Sequence, residues 1–144
     1  MFDNISKLTL EFDVSQLHGK SMSLTFLNND KIETFQQLDQ GVFIYKTDIE
    51  FPAKFSIQVS GKGPNDTEVD EQGNVVKDMC IKLTDINVDG LGCHHVYIHK
   101  FINLITASGE QVQTNYWGFN GQVDLDFNYP NSFFWALHST EIST

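Results

Sequence analysis

The chain has 144 residues, with 19 acidic against 9 basic side chains and a formal net charge of −10. That length suffices for one domain with a real core. The charge argues against DNA or RNA, because no basic patch exists to neutralise phosphates, and against an anionic membrane surface.

Twelve phenylalanines favour sheet over helix. No apolar run approaches the roughly 20 residues of a membrane span. The opening MFDNISKLTLEF lacks the charged-then-apolar order of a signal peptide, so the expected place of folding is a cytoplasm. Cys80 and Cys93 read as free, buried thiols rather than a disulfide.

In chain order, Leu8, Leu10, Phe12 and Val14 alternate with polar residues and predict a first strand near 6–14. A turn at His18-Gly19-Lys20 leads to a second strand through Met22, Leu24 and Phe26. Asn28-Asn29-Asp30 is the next turn, since Asn and Asp tolerate left-handed backbone. A weaker third strand covers 31–37, and a fourth covers 42–47. Pro52 marks an edge or a strand start before 54–60, where Phe55, Ile57 and Val59 share one side.

An acidic, glycine-rich insert follows. Thr67–Asp70 and Asn74–Lys77 read as arms of a small hairpin, with Gly73 supplying the positive φ at its tip. Met79, Ile81 and Leu83 then share one side of a long strand, whose apolar phase changes before Ile86. A bulge is expected near Thr84-Asp85. A long apolar run at 94–106 comes next. Strands at 112–117, 122–128 and 132–138 complete the set, with Val123, Leu125 and Phe127 facing in. No stretch shows a sustained helical stripe. Short strands with turns every 8–12 residues predict a single all-β domain over 1–144, a two-sheet antiparallel β-sandwich of jelly-roll type with little helix.

The acidic insert is the best candidate site. Calcium takes six to eight hard oxygens. Asp66, Glu68 and Asp70 have the spacing D-x-E-x-D, but an EF-hand would need glycine at the sixth position and glutamate at the twelfth, where this chain has Glu71 and Lys77. Two readings stay open: a calcium loop of another kind, and a solvated hairpin whose charges keep an edge from pairing. His94, His95 and His99 suggest no metal site. On a strand His95 and His99 lie about 13 Å apart, too far to share a zinc ion.

The tail from Thr114 is dense in aromatics. Tyr116, Trp117 and Phe119 form a candidate platform for a glycan or a protein partner. If Trp117 faces the core, Tyr116 is the ring expected outside. No G-x-S-x-G elbow, phosphate loop or dinucleotide fingerprint occurs, and no enzymatic activity is expected.

The run VKDMCIKLTDINVDG, ending at Gly90, resembles the last strands of calcium-dependent carbohydrate-binding modules of the xylan-binding type. That resemblance implies calcium as a cofactor, with Asp66, Asp70 and Asp78 as its ligands. A second resemblance rests on GKGPNDTEVDEQGNVVKD and NYWGFNG, which look like small β-sandwich virion proteins of tailed bacteriophages. It implies a structural or attachment role in the particle, as capsid decoration, tail or fibre component. Location would be the virion. Partners would be other virion proteins, further copies of the chain, or a host glycan. The reading placed first is the particle module. A free calcium-dependent glycan-binding module is the alternative.

Overall fold

The computed structural model describes residues 5–63, 67–92, 102–106, 109–112 and 114–140. Alternation puts the same side of each strand into one core, and the strands sort into two antiparallel sheets and a separate hairpin. The first sheet is built on β1 (Ile5–Ser15), which pairs with β4 (Gly41–Glu50) on one side and β8 (Cys80–Val88) on the other. Beyond β8 lie the short strands β9 (Leu91–Gly92) and β12 (Tyr116–Trp117).

The second sheet is centred on β13 (Gly121–Phe127) and β5 (Ala53–Ser60). One flank carries β2 (Ser23–Asn28) and β3 (Lys31–Gln37). The other carries β10 (Ile102–Thr106) and β11 (Gln111–Val112). The acidic insert forms the hairpin β6 (Thr67–Val69) and β7 (Val75–Asp78). The expected two-sheet antiparallel sandwich is therefore the fold. The expected strand over 112–117 is instead two short pieces in different sheets, with β11 on β10 and β12 on β8.

Both sheets give aromatic rings to the core. Phe12 of β1 lies 5.8 Å from Trp117 of β12 and 6.1 Å from Phe26 of β2, between ring centres. Tyr45 of β4 stacks on Phe26 at 3.8 Å with the ring planes 5° apart, and its hydroxyl donates to Glu33 of β3. One side chain thus ties the free edge of the first sheet to the free edge of the second.

The bulge falls where the phase change predicts it. Glu11 pairs with Asp85 and Phe12 with Leu83, which leaves Thr84 as the extra residue, and its hydroxyl donates to the Glu11 carbonyl at 3.1 Å. Asn29 and Asp30 both take positive φ, 51° and 65°, in the β2–β3 turn.

The expected strand at 132–138 is a helix, α1 (Ser132–Thr140). Asn131 accounts for it. Its side-chain oxygen accepts from the Phe134 backbone N–H at 3.2 Å, and its carbonyl accepts the first helical bond from Trp135. This is an N-cap, and it satisfies donors that the first turn would otherwise leave open. Trp135 is buried against Phe127, while Phe133, Phe134 and Leu137 remain exposed.

Candidate functional site

Three pieces of chain meet at one end of β8: the loop after β5, the acidic hairpin, and the segment around β12. Their meeting point is the Asp78 carboxylate. Thr67 faces Asp78 across the hairpin, and its hydroxyl donates to Oδ1 at 2.7 Å. The Lys62 ammonium also donates to Oδ1, and reaches the Met79 carbonyl at 2.6 Å. The Tyr116 hydroxyl donates to Oδ2.

The Lys62 and Asp78 side chains are only 11% and 15% exposed. Burial opposes the charge on Asp78, but the Lys62 ammonium and the Tyr116 and Thr67 hydroxyls outweigh it and hold the carboxyl below its usual range. Burial and the Asp78 carboxylate push the Tyr116 phenol in the opposite direction, well above its usual range.

Local backbone bonds set these positions. Asn115 takes the place of a strand residue beside Leu83. Its carbonyl accepts from the Leu83 N–H, and its side-chain amide donates to the Leu83 carbonyl, both at 2.9 Å. Thr114 receives the Trp117 indole N–H on its carbonyl at 2.8 Å and the Tyr116 N–H on its hydroxyl at 3.1 Å. Gly118 allows the close approach. A Cβ there would sit 2.8 Å from Asp78 Oδ2 and 3.2 Å from a Tyr116 ring carbon. Asn120 holds the backbone of Lys62 from the other side.

The aromatic platform divides. Tyr116 is 40% exposed and Phe119 is 45% exposed, while Trp117 is fully buried. Successive strand residues face opposite ways, so Trp117 serves the core and its ring has no face open to a ligand.

Of the three carboxylates that the calcium resemblance names, the structure describes Asp70 and Asp78. Asp66 lies outside the described residues, as do Cys93, His94, His95 and His99. Asp70 closes the hairpin turn, with Oδ1 accepting from the Gln72 and Asn74 N–H groups, both at 2.9 Å. Those bonds hold its carboxyl below the usual range in spite of its exposure. Asp78 is already engaged by Lys62. Among the described residues no three carboxylate, histidine or cysteine side chains converge. The two described members of the expected ligand set, Asp70 and Asp78, are each engaged by protein donors.

Lys62, Thr67, Gly118 and Asn120 carry as much of this arrangement as Asp78 and Tyr116. Sequence reasoning did not single them out as site residues. The available signal was the glycine bracket around Lys62, which marks a chain held close to its neighbours.

The two-sheet β-sandwich is similar in fold to solved structures. Two solved structures show the likeness, both of the module vCBM60. Its selenomethionine form comes from work linking two families of calcium-dependent carbohydrate-binding modules by circular permutation. It superposes with a TM-score of 0.57 at 9% identity, covering 84% of this chain and 90% of that one. The complex of vCBM60 with galactobiose gives a TM-score of 0.55 at 10% identity, covering 83% and 97%. No family model matches the chain, and no curated protein matches it.

Proposed function

We propose that the protein is a non-catalytic carbohydrate-binding module that presents Tyr116 and Phe119 to a glycan. The observation that carries this reading is an exposed ring beside a locked one. Trp117 is fixed in the core, so Tyr116 is offered to solvent at little cost in side-chain freedom. Sugar rings lay their C–H faces on such aromatics, and binding sites combine aromatic walls with a few placed polar groups. The likeness to a module solved with galactobiose supports the ligand class. Calcium is left out of the proposed site, because Asp78 is paired with an ammonium and Asp70 caps its own turn.

The test is affinity electrophoresis and calorimetry with galactobiose, xylan and other soluble glycans. Tyr116→Ala with Phe119→Ala weakens binding by roughly tenfold or more, as expected for exposed aromatic anchors. Tyr116→Phe keeps the ring and therefore keeps the affinity. Failure of the wild type to bind any glycan of the panel, or full binding by the folded double variant, removes the proposal.

A particle component, placed first on sequence resemblance, is the second reading. Neither vCBM60 structure is described as a virion part. The observation in favour is the exposed apolar face of Phe133, Phe134 and Leu137 on α1. Virion proteins or further copies of the chain are the partners it would serve. Labelling purified particles against this chain decides that reading, and its absence from them ends it.

A further inference from the structure

We infer that Lys62 is a built-in cation at the junction of loop, hairpin and aromatic segment, and that this junction forms without calcium. A calcium ion draws most of its affinity from several carboxylate and carbonyl oxygens converging at 2.3–2.6 Å, a general figure for such sites of about six to eight ligands. Among the described residues the junction offers one carboxylate, that of Asp78, together with the Met79 carbonyl and the hydroxyls of Thr67 and Tyr116. The ammonium already lies on two of these oxygens, Asp78 Oδ1 and the Met79 carbonyl. The negative charge of Asp78 is matched by the positive charge of Lys62. A divalent ion would have to expel Lys62 or share the carboxylate with it, against repulsion between cations.

Expulsion is opposed by the fold. The Lys62 side chain is 11% exposed, and its backbone N–H and carbonyl are both held by Asn120, at 2.9 and 2.8 Å. The lysine therefore arrives already positioned, at the carboxylate on which three separate segments meet. The lowered titration of Asp78 is consistent with that pairing. This inference concerns the free protein and stands whether or not the module binds a glycan.

The experiment is thermal melting of the full chain in calcium chloride and in excess chelator, followed by calcium titration calorimetry. Equal melting midpoints and no calorimetric signal are expected for the wild type. A higher midpoint in calcium that vanishes in Asp78→Asn overturns the inference. A rise that persists in that variant places the metal elsewhere. The assignment to Lys62 is read from two variants. Lys62→Met lowers the midpoint in both buffers, whereas Lys62→Arg, which keeps the charge, retains most of it. A Lys62→Met midpoint equal to that of the wild type overturns the role of the lysine. The calcium comparison of wild type with Asp78→Asn remains decisive if Lys62→Met does not fold.

Discussion

Asn120 and Lys62 hold each other by an exchange of hydrogen bonds. The Lys62 N–H donates to Asn120 Oδ1 at 2.9 Å, and Asn120 Nδ2 donates back to the Lys62 carbonyl at 2.8 Å. The two residues are 58 apart in sequence, so a loop that follows β5 is fixed by the turn that precedes β13. The exchange also aims the lysine at Asp78.

The first prediction concerns this exchange. Asn120→Ala removes both bonds and leaves a partly buried amide and carbonyl to find water. Destabilisation of about 1–2 kcal/mol is expected. Asn120→Asp keeps the acceptor and loses the donor, so its loss is smaller. Equilibrium denaturation in urea measures both, and equal stability of Asn120→Ala and wild type would remove the anchoring role.

The second prediction is a pH dependence. Asp78 has a folded pKa below its unfolded value. The stability it contributes is therefore complete above the ordinary carboxylate range, about pH 4, and is lost as pH falls through the folded value. Asp70, Glu33 and Asp89 are depressed too and act in the same direction. Asp85 acts oppositely. Burial and the Glu11 charge raise its pKa, so ionisation costs stability and acidification relieves that cost. The wild-type acid limb is the sum of these groups. The difference between wild type and Asp78→Asn isolates one of them. The variant loses stability at neutral pH and shows a shallower decline below about pH 4. Parallel curves for the two proteins would contradict the pairing.

The third prediction is the helix cap. Asn131→Ala leaves the Phe134 N–H without its acceptor and costs about 1 kcal/mol. Asn131→Asp and Asn131→Ser retain an acceptor and most of the stability. Thermal melts of the three variants give the ranking. An unchanged Asn131→Ala midpoint would mean that packing of Trp135 alone holds the helix.

The strands were legible because each buries one face. Leu8, Leu10, Phe12 and Val14 on β1, and Val123, Leu125 and Phe127 on β13, point inward as their alternation requires. The helix was not legible from periodicity, because α1 is short and apolar on more than one side. Phe133, Trp135 and Leu137 imitate a strand, yet only Trp135 is buried. The cap was the better signal, with Asn131 directly before Ser132. The division of 112–117 between sheets left no trace in hydrophobicity, since a strand reads the same in either sheet. The sequence reading singled out Asp78 and Tyr116 separately, as a metal ligand and as an exposed ring, and the structure joins them by a hydrogen bond. Their bond to each other crosses 38 residues, and the Lys62–Asp78 pair crosses 16. No local pattern encodes either, because a single lysine has no period.

Gly118 sets a limit on how the aromatic loop could be re-engineered. Any side chain at that position would meet the Asp78 carboxylate and the Tyr116 ring at once. Diversity for a new ligand therefore belongs at 116 and 119, on either side of Trp117 and Gly118. A library randomised across all of 116–119 would crowd this junction at Gly118 and take the buried Trp117 ring out of the core. Two positions, flanking two that must stay, are the usable alphabet of this surface.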